Sequence, residues 1–412
     1  MPSYAAFLGH QPHISVAELA AVVPGFMLQT VLDKKIALFE SAEEIDETSF
    51  NELGGCIALA RRVDNHELSV SDVPGVLLNE LSKVRGKVTF GLRTFGLPPS
   101  TVHELYRRYK MTLKKEGRSV RYVGNERKPA PAVLLHDSGL LTGKHGCELT
   151  LIQLEQELWV GRTIAAQDID AYVKRDIDKP VRDTRAGLLP PKLAQTLLNL
   201  GSYLARAKQP VVTDAKKKKP KHEAYLIFDP FCGTGVIPIE CLVRGWPVLA
   251  SDVSQKAVSG CEKNLEWIRK ERKILKKDVA STVWKQDATK AFALKTPPNV
   301  IVTETSLGPA LTKRPTVTDA KKMVRDAEEL EEKFLRNAAA TLPGVPIVCT
   351  WPAWYMKAGQ LRLEKIWDKL EGIGYTAVLP AGYAADNPDR PSLLYRRLDQ
   401  LVGREIVMLM PK

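Results

Sequence analysis

Asp229-Pro-Phe-Cys-Gly-Thr-Gly235 sets an acid at the mouth of a turn with two glycines, directly behind the apolar run Tyr225-Leu-Ile-Phe228. Glycines at 233 and 235 allow tight backbone geometry and let a ligand come close to the main chain. An acid beside a single G-x-G suits an amino-acid ammonium and a ribose better than a pyrophosphate, and no G-x-x-x-x-G-K-S/T phosphate loop occurs. Asp252, closing Pro247-Val-Leu-Ala-Ser-Asp252, is placed to accept hydrogen bonds from ribose hydroxyls. Asp287 and its neighbour Gln286 follow Thr282-Val-Trp-Lys285, where either could pair with an adenine amine. Acids at strand ends also cap helices, but three of them in register with a glycine turn point to a ligand.

The elements that must carry these residues read as strand and helix in alternation from Leu188 onward, which predicts a parallel sheet with helices on both faces. Strands are expected at 225–228, 247–250, 282–285, 300–303, 345–350, 375–379 and 405–410, a complete doubly wound seven-stranded α/β domain. Ser254 should cap a helix whose Val258, Cys261, Leu265 and Ile268 pack on the sheet. Upstream, 5–9 reads as a buried strand, and Ser15-Val-Ala-Glu18 as a capping box opening a helix through Ala21. Lys87–Arg93 and Val120–Val123 are strand-like, with a helix between them capped by Ser100 and striped with Val102, Leu105, Tyr109 and Leu113. That helix also carries Arg107, Arg108, Lys110, Lys114 and Lys115, a face for a phosphate backbone or simply for water. Residues 149–155 and 157–161 make a hairpin. The basic tract Thr213-Asp-Ala-Lys-Lys-Lys-Lys-Pro-Lys-His222 reads as an exposed connector. The resulting domains are 1–84, an N-terminal α/β module; 85–180, a second α+β region; and 181–412, the doubly wound domain.

The bulk figures bound the setting. With 412 residues, 44% hydrophobic and 26% charged, the chain has the composition of a multi-domain globular protein. Its formal charge of +12 favours a polyanion, with nucleic acid ahead of a membrane surface. Six cysteines without a C-x-x-C pair suggest neither a zinc knuckle nor a disulfide framework, and His10 with His13 makes no metal site, so no metal is expected. The opening lacks a secretory signal and no run approaches the length of a bilayer span, which places the protein in the cytoplasm, with a monomer favoured.

The residues of the glycine turn resemble those of the class I S-adenosylmethionine-dependent methyltransferases, and more narrowly the THUMP-containing transfer-RNA guanine methyltransferases. Gly187-Leu-Leu-Pro-Pro-Lys-Leu-Ala-Gln-Thr-Leu-Leu-Asn199 is similar to that family's preceding helix, and Tyr4-Ala-Ala-Phe-Leu-Gly9 with Ser15–Leu19 to its first strand and helix. The resemblance implies S-adenosylmethionine as cofactor, held by Asp229, Phe231, Gly233, Gly235, Asp252, Val253, Gln286 and Asp287. It implies that 85–180 is THUMP-like and binds RNA, and that the activity belongs to transfer-RNA processing.

Family members that methylate an exocyclic amine carry Asp or Asn, then Pro-Pro, then an aromatic, after the fourth strand. Here the place reads Val302-Thr-Glu-Thr-Ser-Leu-Gly-Pro309, so Glu304, Thr305 and Ser306 become the catalytic residues and Leu307 stands for the aromatic. The acid and a backbone carbonyl would accept the two N–H bonds of the amine and aim its lone pair, while an aromatic stacks on the extruded base. Trp351, Trp354 or Tyr355 could supply that ring in place of Leu307, and Ser392–Arg397 with Arg404 resembles the family's basic closing hairpin, touching phosphate or solvent. The expected function is methyl transfer to a base amine of RNA, guanine in transfer RNA foremost. The alternatives are a catalytically impaired RNA-binding protein that keeps the fold, or a methyltransferase acting on adenine or another acceptor.

Overall fold

The computed structural model describes residues 1–63, 66–183, 188–208, 224–357, 359–397 and 400–412. The basic tract at 213–222 and Gly187 therefore lie outside the described residues. The chain divides into two compact units, the first made of Met1–Pro12, Val23–Glu52 and Cys56–Ala171, the second of His13–Val22, Leu53–Gly55 and Tyr172–Lys412.

Unit one is built on eight strands: β1 (Ser3–Leu8), β2 (Met27–Leu32), β3 (Ile36–Glu40), β4 (Cys56–Arg62), β5 (Val88–Phe95), β6 (Val120–Val123), β7 (Gly146–Gln153) and β8 (Leu158–Ala166). They form one sheet in the order β2-β3-β1-β4-β8-β7-β5-β6. The expected hairpin is β7 with β8, in antiparallel register from Leu149 opposite Arg162 to Gln153 opposite Leu158. The helix over Pro99–Lys115 buries Val102, Leu105, Tyr109 and Leu113 against Phe90, Leu149 and Leu151 of the sheet. It starts on Pro98 and Pro99, not on Ser100, because proline is pre-set for the first helical turn and has no N–H to leave unpaired. Its Arg107 and Arg108 pair with Glu104 on the exposed face.

Unit two opens with a helix over Pro12–Val22 that is buried all round from Ile14 to Ala21. Ser15 sits one turn inside this helix, so the capping box is not formed. Glu18 instead turns its carboxylate inward and accepts from Gly54 N (2.9 Å), Gly55 N (2.7 Å) and Asn199 Nδ2 (2.6 Å). The pattern misleads because a Ser-x-x-Glu spacing also puts both residues on one helix face, here a buried one.

The second sheet holds β9 (Ile227–Asp229), β10 (Val248–Asp252), β11 (Ser281–Lys285), β12 (Val300–Glu304), β13 (Ile347–Met356), β14 (Gly359–Leu361), β15 (Tyr375–Ala377), β16 (Ser392–Tyr395) and β17 (Val402–Pro411). The order is β11-β10-β9-β12-β13-β17-β15, with β14 on β13 and β16 on β17. All seven expected strands are present; β14 and β16 are additions too short to register as periodic patterns. Alternation explains why helices cover both faces. Val300, Val302, Val348, Ile406 and Met408 pack on one side with the helices over Pro191–Lys208, Val236–Val243 and Gln255–Arg272. Ile301, Ile347, Cys349, Val407 and Leu409 pack on the other with those over Val317–Thr341 and Glu364–Ile373. Ser254 caps its helix as expected, accepting from Ala257 N.

Phe228 is fully buried at the centre of the second face, stacked on Trp284 (centroids 5.7 Å apart) and edge-on to Phe292 (5.0 Å). Phe228→Ala should cost about 3–5 kcal/mol, read as a lower urea midpoint for the transition that carries the tryptophan signal.

Candidate functional site

The glycine turn is held from below by a backbone bond from Cys232 N to Ser251 O (2.9 Å), which ties it to the end of β10. Gly233 and Gly235 both take left-handed backbone conformations, with φ of +50° and +86°. Their reasons differ. A Cβ at 235 would lie 2.5 Å from Cys261 Sγ, so that glycine permits two helices to meet. A Cβ at 233 would meet nothing within 4 Å and would stand in the cavity above the turn.

That cavity, about 1030 Å³, lies at the carboxyl ends of β9, β10, β11 and β12. Asp229, Phe231, Gly233, Asp252, Val253, Asp287, Glu304, Thr305 and Ser306 all line it. Gly235 and Gln286 do not. Gln286 spends its amide on the protein, accepting from Trp284 Nε1 (2.7 Å) and donating to Ala291 O (2.9 Å). Asp252 accepts from Gly233 N (3.0 Å) and Ser254 N (2.8 Å), bracing the turn it faces. Val253 beside it is 64% exposed, an apolar side chain presented to the cavity. Asp287 is held below the usual carboxylate range by hydrogen bonds from Thr289.

Asp229 is the most perturbed of these acids. Burial pushes its carboxyl up to about 7, against hydrogen bonds from Thr303 Oγ1 (2.6 Å) and Phe231 N (3.3 Å) and with Asp252 and Glu304 adding to the rise. A second buried carboxyl, Glu331, lies under Thr305 and Trp351 and is pushed up by burial to about 8. Sequence reading found neither Thr303 nor Glu331. No spacing rule marks a partner on the neighbouring strand 74 positions along the chain, or one on a helix.

The turn after β12 departs most from expectation. Thr305 donates its hydroxyl to Thr350 O (2.7 Å), facing the neighbouring strand. Ser306 Oγ accepts from Gly308 N (3.3 Å). Glu304 receives Arg404 Nε on Oε1 at 2.5 Å. Arg404 is thus not a surface residue of a basic hairpin: it is 2% exposed, its charge paired with the partly buried Glu304. Of the aromatic trio, Trp351 and Trp354 are fully buried core residues. Only Tyr355 is partly open, and the Arg396 guanidinium already covers its ring at 3.6 Å. None of the three lines the cavity; β13 runs through Met356 and is buried on both faces from Ile347 to Trp354, so both tryptophans lie in the core.

The family model described as Conserved hypothetical protein 95 matches residues 216–323, the glycine turn through the start of the helix after β12. Among solved structures, TrmN from Thermus thermophilus aligns with 100% of both chains at 16% identity and a TM-score of 0.50. A protein of Clostridium difficile 630 described as a possible methylase aligns with 100% of this chain and 98% of its own at 10% identity, TM-score 0.45. Magnesium protoporphyrin IX methyltransferase from Synechocystis PCC 6803 aligns with 59% of this chain and 94% of its own at 12% identity, TM-score 0.34. The likeness to TrmN shows a shared fold along the chain.

Asp229 generates a pH dependence of stability. Its folded pKa lies above the ordinary carboxyl value, so its stabilising contribution is full below about pH 4 and is lost as the pH rises through about 7. Asp229→Asn should raise the melting temperature at pH 8 and flatten the fall between pH 5 and pH 8, measured by calorimetry on the ligand-free chain. Glu331, shifted in the same direction, should leave a residual slope.

Proposed function

We propose that the chain transfers a methyl group from S-adenosylmethionine to a base amine of RNA, guanine in transfer RNA being the foremost target. The observation that carries this reading is the acid-lined cavity above Gly233, where a missing Cβ leaves room for a ligand against the backbone. The residues fit the cofactor. Asp229, buried and raised, would take its ammonium; Asp252 its ribose hydroxyls; Val253 would flank the adenine; and Asp287, which lines the cavity where Gln286 does not, would meet the adenine amine. When bound, the cofactor supplies an electrophilic methyl on a sulfonium. Phe231 and the backbone of Gly233 would shape the wall around it, while Gly235 lets the two helices meet behind the turn.

The chain's own part in the reaction is positioning. Glu304 would accept an N–H of the target amine, and the Thr305 bond to Thr350 O would hold the turn that carries it. The proposed catalytic residues are therefore Glu304 by contact, with Thr305 and Ser306 shaping its turn. RNA as acceptor is supported by the charge of +12 and by the exposed Lys110, Lys114 and Lys115 of unit one, where 85–180 would act as a THUMP-like holder of transfer RNA. The six cysteines form no disulfide among the described residues, which suits a reducing cytoplasm, and no described helix is long and apolar enough to cross a membrane. The domains proposed are 1–84, 85–180 and 181–412, in a chain acting as a monomer. The inward-facing Thr305 hydroxyl favours one second reading, an RNA-binding protein with an impaired catalytic turn.

The test incubates the purified chain with methyl-labelled S-adenosylmethionine and total small RNA, DNA or protein in parallel. Label should enter RNA, fall by about a hundredfold or more in Glu304→Ala, and require Asp252, whose Ala variant should bind cofactor at least about tenfold more weakly. Cofactor binding without label in any acceptor would establish the second reading. Binding indifferent to Asp252→Ala would refute the site.

A further inference from the structure

Glu304 stands at the end of β12 and Arg404 on β17, with β13 between them. Thr350 of β13 is the partner of Glu304, and Pro352 and Tyr395 are the partners of Arg404, so the ion pair bridges three strands at the floor of the cavity. Arg404 is held on every side. Its Nε donates to Glu304 Oε1 at 2.5 Å, its Nη2 to Leu188 O at 3.3 Å, and its Cζ lies 5.8 Å from the centre of the Tyr395 ring. Glu304 keeps 14% of its side chain exposed, and it lines the cavity together with Leu188. An aspartate at 304 would fall short of β17 by about one C–C bond, ~1.5 Å. The glutamate that departs from the family's acid is thus the residue long enough to reach this arginine.

From this geometry we propose that Arg404 is the positioning residue that aims Glu304, and that the Glu304–Arg404 pair selects a neutral amine over an ammonium as methyl acceptor. The inference rests on the cavity being a methyl-transfer site. The Arg404 Nε–H holds the carboxylate by one oxygen and leaves the other available to an N–H donor. The pair is formally neutral. A neutral conjugated amine, such as the exocyclic amine of a base, can donate to that oxygen. A lysine ammonium would instead meet the positive charge of Arg404 a few ångströms behind it, and it has no lone pair to offer. Of the cavity's other acids, Asp229, Asp252 and Asp287 stand at the strand ends on the cofactor side; Asp183, Asp326 and Glu329 also line it, Asp326 beside Arg325 and Glu329 beside Lys333.

Arg404→Gln, Arg404→Lys, Glu304→Ala and the Glu304→Ala/Arg404→Gln double variant test the proposal. Cofactor affinity and melting temperature are measured on each, with kcat and KM on small RNA and transfer to polylysine as the cationic acceptor. Arg404→Gln should lose about a hundredfold in kcat with KM and cofactor affinity within about twofold, Arg404→Lys should recover at least about tenfold, and the double variant should be no slower than Glu304→Ala. Polylysine should stay unlabelled with the parent chain. In the ligand-free chain, the buried Arg404 Nε–H should give a slowly exchanging NMR resonance that vanishes in Glu304→Ala and persists in Asp252→Ala. Unchanged kcat in Arg404→Gln, multiplicative losses in the double variant, or labelled polylysine would overturn the role of the pair while the methyl-transfer reading stands. No transfer to RNA by the parent chain would overturn that reading, and the role of Arg404 with it, whatever the resonance shows.

Discussion

The strand order reverses between β9 and β12, and the helices that follow these two parallel neighbours leave on opposite faces of the sheet. Neither connection can cover the strand ends between them, so a crevice must open there. Every residue of the candidate site is a consequence of that gap. The turn after β9 reaches into it from one side and the turn after β12 from the other, while Asp252 closes it from β10.

An open crevice at the edge of a dry core puts polar groups where burial is expensive, and the second unit meets the cost in two different ways. Asp229 and Glu331 are carboxyls raised by burial to about 7 and about 8, so each ionises at a higher pH than an exposed carboxyl and gains from the arrival of a cation. Glu304 and Arg404 bury their charges together, with Leu188 O and Tyr395 completing the arginine's surroundings. The first device suits a site that waits for a cation. The second suits a group whose direction has to be kept.

Unit one repeats the principle of a sheet with helices. Its β5 runs parallel to both β6 and β7, and the helix over Pro99–Lys115 buries one stripe while presenting Lys110, Lys114 and Lys115 to solvent. The division of labour proposed above follows from this contrast: one unit offers a polar hollow, the other a basic exterior.

The period-two pattern of Val300 to Val302 and of Ile406 to Met408, and the glycines at 233 and 235, were readable from the chain because they obey local rules of backbone geometry and face. For the same reason the three strand-end acids could be named, though Gln286 turned out to spend its amide on Trp284 and Ala291. Local rules failed where one pattern fits two environments. Ser15 and Glu18 share a helix face whether it is a cap or a core, and Trp351 and Trp354 follow a strand whether they stack on a base or on their neighbours. Which residues meet across strands was decided only by the fold: Thr303 with Asp229, Thr305 with Thr350, and Arg404 with Glu304, 100 positions away. The chain determined what chemistry was on hand, since residue type and spacing are local. Tertiary structure decided how it is aimed, because charge and burial act through space and not along the sequence.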